Sequence, residues 1–182
     1  MSKFFLFLCI LVPTVILAQP VEKGQFDEQL LVKAFNEQLH EYRSTVNLPV
    51  IQENRILTEA AAHHTEYMYR TTIVSHYQEM NLPHFKNIYS PKERIKYFAK
   101  DLFEEQNKYA EICLGLTIKN ATSYQEVAEK ITESIVNSEN FAILHNGEAR
   151  HIGLDVQKKK NMYFVTINFG MGYNNIIAFK DE

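Results

Sequence analysis

Residues 57–76, LTEAAAHHTEYMYRTTIVSH, decide how the rest of this sequence is interpreted. Positions three or four residues apart share one face of an α-helix. On this stretch they give a face that is apolar except for one imidazole, and its members are Leu57, Ala60, Ala61, His64 and Met68. The pattern predicts a helix packed against a core. It leaves His64 either as a core residue or as the floor of a site.

Two further histidines lie close to that face. His63 is rotated by about 100° around the helix from its neighbour, so we expect a solvated or boundary residue rather than a ligand. His76 follows after the helical pattern has given way to the β-branched residues 71–74, which favour extended structure. We therefore expect His76 in the segment that follows the helix.

The first eighteen residues, MSKFFLFLCILVPTVILA, have the pattern of a secretory signal peptide. Lys3 precedes an apolar run that ends in a small residue, which predicts cleavage between Ala18 and Gln19. The run is too short, and too interrupted by Pro13, to predict a permanent membrane span. The sequence therefore predicts a secreted or periplasmic protein with no stable membrane insertion.

Composition narrows the class of protein further. The full chain has 182 residues and a net charge of −3, which becomes −4 once Lys3 is removed. A mildly acidic chain is a poor candidate for binding nucleic acid or anionic membranes. After cleavage only one cysteine, Cys113, remains, so an exported protein of this kind has no intrachain disulfide and depends on packing. That favours a bacterial protein with a single packed domain over a small disulfide-stapled one.

Capping signals and periodicity predict an α+β chain of three or four helices around a small, mainly antiparallel sheet. Ser90 and Ser123, each followed three residues later by glutamate, predict capping boxes, and Pro91 suits a first helical turn. On the helix after Ser90 we expect Leu102 to point inward. The predicted elements are helices over about 27–45, 54–70, 91–103 and 124–138, a strand over 109–118, and a hairpin of strands 151–157 and 162–169. Residues 27–172 are predicted to form one domain, followed by a short tail at 173–182.

Several segments, taken in order, resemble the CAP superfamily of cysteine-rich secretory, antigen 5 and pathogenesis-related proteins in its bacterial, SCP-like form. Each motif is short, and the similarity rests on their order and spacing between Phe35 and Phe169. The matching segments are Tyr42-Arg43, Leu48-Pro49, Leu57 with Ala61, His64 and Met68, Val74-Ser75-His76, Tyr109–Ile112, Val136-Asn137-Ser138, Ile152–Val156 and Tyr163–Thr166.

The resemblance implies a three-layer α-β-α sandwich with a cleft that holds two histidines and acidic residues, which bind a divalent metal in some members. His64 matches the first histidine and Glu111 the first acid, and we expect them to be hydrogen-bonded partners. The second histidine is missing, because Asn140 or Phe141 stands in its place, near Ser138. His76, His145 or His151 is a possible third ligand. The candidate cleft residues are His64, Glu111, His76, Ser138 and Asn140.

Three functions remain open at this point. The first is non-catalytic binding of a small ligand, a lipid or an extracellular protein partner through the cleft, with no cofactor predicted, although a divalent metal such as zinc remains an alternative. The second is a hydrolase, peptidase or esterase, that uses His64 and Glu111, with Ser75 or Ser138 as nucleophile. The third is lipid or sterol binding, which the aromatic content suggests. Catalytic residues are not assigned from sequence, because such sets are recognised by geometry.

Overall fold

A computed structural model of the chain describes residues 26–104 and 107–171. The predicted signal peptide, residues 1–18, and the predicted tail, residues 173–182, lie outside the described residues. Within them, no helix is both long and apolar enough to cross a membrane. The helices and strands in chain order are α1 Glu28–Thr45, β1 Gln52–Glu53, α2 Arg55–Thr71, α3 Pro91–Ala99, β2 Lys108–Thr117, α4 Tyr124–Val136, α5 Phe141–Leu144, β3 Ala149–Lys159 and β4 Met162–Met171.

Helices α1 to α4 begin where side chains satisfy their free backbone N–H groups. Asn54 Oδ1 accepts a hydrogen bond from the Leu57 N–H at 3.2 Å and starts α2. At α3 both halves of the capping box are present, since Ser90 and Glu93 exchange bonds with each other's backbone. Ser123 caps α4 by accepting from the Glu126 N–H. The capping signals in the sequence therefore placed the helix starts correctly.

The four strands form one sheet in the order β1-β3-β4-β2. β1 runs parallel to β3, whereas β3 with β4 and β4 with β2 pair antiparallel. Alternate side chains on a strand point to opposite faces. On β4, Tyr163, Val165, Ile167 and Phe169 join the core formed with α1 and α4, whereas Phe164 packs against Tyr67 and Met68 of α2. The predicted α+β, three-layer sandwich is confirmed.

One row of residues crosses the sheet on the face covered by α2. Gly153 on β3 is paired with Asn168 on β4, which is paired with Glu111 on β2. A Cβ atom at Gly153 would lie 2.1 Å from the Leu57 carbonyl carbon, so the glycine lets the first turn of α2 rest on the sheet. The Asn168 amide donates to the Leu57 carbonyl oxygen at 3.2 Å. This cross-strand row therefore fixes α2 against the strand that carries Glu111.

Local detail differs from the sequence prediction in two places. The helix predicted over 91–103 ends at Ala99, because Lys100 leaves the helical conformation with a positive φ of 52° and a short 3₁₀ turn follows. Leu102, predicted to point inward, is therefore exposed. The two-residue β1 and the four-residue α5 were not predicted from sequence, because elements this short show no periodicity.

A buried carboxyl group gives the fold a pH dependence. Asp155 is 5% exposed, and its Oδ2 atom has no hydrogen-bond partner within the described residues. Burial, then a hydrogen bond with the carboxyl group of Glu28 on α1, and then the negative charges of Glu28 and of Glu66 on α2 raise its pKa to about 8. Between about pH 4 and 8 the folded protein therefore holds a proton that the unfolded chain has released, so stability falls as the pH rises through this window.

Asp155→Asn is expected to raise the free energy of unfolding by on the order of 2 kcal/mol at pH 8 and to leave it nearly unchanged at pH 4. The amide has the shape of the carboxyl group and carries no charge to desolvate. Urea unfolding of both proteins between pH 4 and 9 measures the difference. Asp101→Asn, at an exposed carboxyl, is the control and should change little. A stabilisation equal at both pH values would contradict a titrating Asp155.

Candidate functional site

His64 lies beneath the candidate site and is fully buried in the middle of α2. Its Nε2 atom is 2.6 Å from the Ser75 carbonyl oxygen, which can only accept, so Nε2 carries the proton. Its Nδ1 atom accepts from the Gln78 amide at 3.2 Å. Burial, and then the nearby charge of Arg94, lower the His64 pKa to about 4. The ring is therefore a neutral, fully hydrogen-bonded part of the interior at physiological pH.

Gln78 is a residue that sequence analysis did not identify. Its amide nitrogen donates to both His63 Nδ1 and His64 Nδ1, each at 3.2 Å. Its Oε1 atom accepts from the Ile88 N–H at 3.0 Å. The chain reaches this position after Thr72 closes α2 in a left-handed conformation with φ 58°. This one buried amide therefore ties the segment after α2 to two histidines of the helix.

Glu111 forms a buried ion pair with Arg94 of α3. Arg94 Nη2 lies 2.9 Å from Glu111 Oε1 and 2.8 Å from Oε2, and neither side chain is more than 3% exposed. The same Nη2 atom donates to the His76 carbonyl oxygen at 3.0 Å. The expected partnership of Glu111 with His64 is thus corrected, because Ser75 and Gln78 occupy both His64 nitrogens. Arg94 was not predicted as a site residue.

His76 is the histidine that contacts Glu111 directly. Its Nδ1 atom lies 3.1 Å from Glu111 Oε1, and its side chain is 46% exposed. Burial alone would raise the Glu111 pKa, but the His76 hydrogen bond and the Arg94 charge outweigh it and lower the pKa below its usual range. Glu111 is therefore a carboxylate that bridges a buried cation and a solvent-accessible imidazole.

Cys113 lies on the same face of β2, two residues along. Its Sγ atom is 3.3 Å from Glu111 Oε1 and 3.5 Å from His76 Nδ1. Burial, and then the Glu111 charge, raise the pKa of the thiol well above its usual range. In a catalytic Cys-His-acid set the thiol and the acid contact opposite ring nitrogens, whereas here both contact Nδ1. Cys113 is a protonated, half-buried thiol rather than a nucleophile.

A cavity of about 410 Å³ opens beside the Glu111–His76 pair. We call it the Glu111 cavity. Its polar lining includes Glu111, His76, Asn107 and Asn168, and its apolar lining includes Tyr77, Tyr109 and Ile95. The volume lies in the range of small-molecule sites.

Ser138 and Asn140, also predicted for the cleft, do not line this cavity. They follow α4, whose apolar residues pack on the opposite face of the sheet from Glu111. There the Ser138 hydroxyl donates to the Ile135 carbonyl oxygen and accepts from the Asn140 N–H. The five-residue cleft predicted from sequence is therefore corrected. His76 and Glu111 line the cavity and His64 lies behind it, whereas Ser138 and Asn140 belong to another layer.

The other two histidines predicted as possible ligands, His145 and His151, contact other residues and not Glu111. His145 Nδ1 bonds to the Tyr42 hydroxyl at 2.8 Å and its ring lies against exposed Phe141. His151 lies on β3 beside Gln52 of β1. Neither lines the Glu111 cavity.

Three neighbouring side chains are possible ligands of a divalent cation. His64, Glu111 and Cys113 have potential ligand atoms within 4.8 Å of one another. However, both His64 nitrogens are engaged, the thiol is held protonated, and the Arg94 guanidinium already occupies both Glu111 oxygens. A cation there would displace these bonds and meet a buried positive charge. These residues do not fit a zinc site of the usual kind.

Comparison with known proteins identifies solved structures that have a similar fold. No family model and no curated protein matches the sequence. Among solved structures, an outer surface protein from Borrelia burgdorferi is similar, with a TM-score of 0.60 and 15% identity over 86% of this chain and 99% of that one. An extracellular SCP-domain protein from Bacillus anthracis has a TM-score of 0.59 and 18% identity over 80% of this chain and 41% of that one.

A cysteine-rich secretory protein from Staphylococcus aureus is also similar, with a TM-score of 0.51 and 14% identity over 80% of this chain and 39% of that one. The chain thus spans about two fifths of the length of each of these last two proteins, and nearly all of the Borrelia protein. The structure is therefore an α+β sandwich with the SCP, or CAP, fold. The low identities carry the likeness no further than the fold.

Proposed function

We propose that this chain is an extracellular CAP-like domain that binds a ligand in the Glu111 cavity without catalysing a reaction. The observation that carries the proposal is the arrangement of Glu111, which Arg94 fixes from below while exposed His76 contacts it at the cavity wall. A buried, charged hydrogen-bond acceptor with a fixed geometry is suited to orienting a small molecule. The predicted signal peptide supports the proposed location, and so does the similarity of the fold to an outer surface protein and to an extracellular protein.

The hydrogen bonds around the cavity favour binding over catalysis. A general base needs a free nitrogen within reach of the substrate, and both nitrogens of His64 are occupied inside the protein. Ser75, a candidate nucleophile from sequence, accepts the Tyr77 N–H at its hydroxyl oxygen and His64 at its carbonyl oxygen. Neither Ser75 nor Ser138, the nucleophiles of the hydrolase alternative, therefore has His64 as its general base. The proposed binding involves no metal.

Fragment screening by NMR tests this proposal. A mixture of uncharged, cationic and anionic small molecules is expected to shift the amide signals around Glu111 and Tyr109, and not those of α4. His76→Ala is expected to weaken binding of the best fragment by about tenfold, because one hydrogen-bonding wall of the cavity is lost. His145→Ala removes another exposed histidine, in a different layer, and should leave binding unchanged. If no fragment shifts these signals, or if both variants weaken binding equally, the proposal is overturned.

A further inference from the structure

We propose that the ligand of the Glu111 cavity is a neutral, hydroxyl-bearing ring of the size of a sugar residue. The inference rests on the proposed function and adds the chemical class of the ligand. It begins from an unpaired atom. Asn168 lines the cavity, is 1% exposed, and its Oδ1 atom has no hydrogen-bond partner within the described residues.

The orientation of the Asn168 amide is fixed by its other contact. Its nitrogen faces the Leu57 carbonyl oxygen at 3.2 Å, and that oxygen can only accept. The Oδ1 atom is therefore the acceptor left over, and exchanging the two ends of the amide would place two acceptors together. A buried acceptor without a partner costs free energy, and because Asn168 lines the cavity, a ligand that brings a donor within reach of this oxygen would remove that cost.

The neighbouring carboxylate of Glu111 is also a hydrogen-bond acceptor, so it too favours a ligand that carries donors. Asn168 and Glu111 are cross-strand partners on β4 and β2, so their side chains lie side by side on one face of the sheet. Glu111 Oε2 accepts from Arg94, and a carboxylate oxygen has room for a second donor. Two adjacent acceptors, one amide and one carboxylate, match a ligand with two neighbouring O–H groups.

The charges around the cavity favour a neutral ligand over a charged one. The carboxylate of Glu111 is already paired with the buried guanidinium of Arg94, and Lys92 also lines the cavity. A cationic ligand would compete with that guanidinium for the carboxylate and approach a second positive charge. An anionic ligand would approach Lys92 but would also meet the Glu111 carboxylate and the unpaired carbonyl oxygen of Asn168. Hydroxyl groups supply donors without either cost.

Two tyrosines supply the apolar part of the lining. Tyr77 and Tyr109 both line the cavity, and Tyr109 is backed by the stacked ring of Phe103 with 6.2 Å between ring centroids. Tyrosine presents a flat apolar face beside a polar tip. A sugar ring has apolar C–H faces and hydroxyl groups at its edge, so it fits flat rings beside two acceptors. A lipid chain would cover the tyrosines and leave the Asn168 oxygen without a donor.

The test is an NMR titration of the whole secreted chain with matched sugars, namely N-acetylglucosamine and glucose as neutral probes, glucosamine as cation and glucuronate as anion. We expect a neutral probe to bind at least about tenfold more tightly than the charged ones, with shifts of the Asn168 side-chain amide and the Tyr109 backbone amide. Tyr77→Ala, at an exposed cavity residue, should weaken that binding by about tenfold. Tyr97→Ala is the control, since Tyr97 is an equally exposed tyrosine on α3 that does not line the cavity.

The results that would overturn this inference differ from those that would overturn the proposed function. If other fragments bind at Glu111 but no neutral sugar does, the cavity is a binding site and the hydroxyl assignment is wrong. The assignment is also wrong if glucosamine or glucuronate binds best, or if Tyr97→Ala weakens sugar binding as much as Tyr77→Ala. If neither sugars nor fragments shift the cavity signals, an ordered water satisfies Asn168 and both proposals fall.

Discussion

Replacing Arg94 with alanine is expected to lower the free energy of unfolding by about 3 to 5 kcal/mol, because it leaves the Glu111 carboxylate buried without its cation. The Arg94 side chain is fully buried, and two of its hydrogen bonds go to that carboxylate. Equilibrium unfolding in urea at pH 7 gives the difference directly. The loss should shrink at low pH, where Glu111 becomes protonated and needs no counter-charge.

Two further variants show where that effect originates. Arg70→Ala removes an exposed arginine from an i,i+4 pair with Glu66 and should cost less than about 1 kcal/mol. In the double variant Arg94→Met with Glu111→Gln, most of the lost stability should return, since no charge remains buried. If Arg94→Ala costs no more than Arg70→Ala, the buried ion pair does not exist in solution.

Gly153→Ala is expected to destabilise the fold by about 3 kcal/mol or more, the upper end of what overpacking costs. The added Cβ atom would lie 2.1 Å from the Leu57 carbonyl carbon and 2.1 Å from the Thr58 nitrogen. Both are backbone atoms in the first turn of α2, so neither can move aside as a side chain can. The helix would have to lift from the sheet, which would also break the Asn168 bond to the Leu57 carbonyl oxygen.

Gly147→Ala is the matched control for this prediction. Its added Cβ atom would meet only the end of the Leu48 side chain, at 3.7 Å, so the thermal midpoint should stay within a few degrees of the parent. For Gly153→Ala we expect a fall of more than about 10 °C, measured by circular dichroism. Equal midpoints for the two variants would show that α2 does not rest on β3 at this position.

Sequence analysis predicted most of the fold because its signals are local. Ser90 and Ser123 both marked helix starts, although Ser90 forms the full capping box and at α4 the Glu126 carboxylate accepts from the Thr122 N–H instead. The apolar face through His64 gave the buried side of α2, all of whose predicted members are buried. The hairpin of β3 and β4 followed from two apolar runs and one basic turn. The elements that could not be predicted are short or depend on pairing with residues far away in the sequence. An example is β1, whose two residues form a strand only through their contacts with β3.

The candidate site could be predicted from the sequence only in part, for a physical reason. The sequence singles out His64 and Glu111, but the bonds between side chains depend on the path of residues 72–90, and no periodicity reveals that path. Gln78 has no signal in the sequence. Arg94 has one, because it lies four residues before Phe98 on the inner stripe of α3, and a buried arginine needs an acid. Ser138 and Asn140 were assigned to the cleft by resemblance alone. The structure places them in the layer of α4, on the opposite face of the sheet from Glu111.

The cross-strand row of Gly153, Asn168 and Glu111 has a consequence for how binding would be sensed. Asn168 lines the Glu111 cavity and holds the first turn of α2 with its amide nitrogen, while its Oδ1 atom has no partner within the described residues. A molecule that donates to Oδ1 would polarise the amide and strengthen its bond to Leu57. Occupancy of the cavity would then be transmitted to α2, and slower hydrogen exchange at the start of α2 would report it.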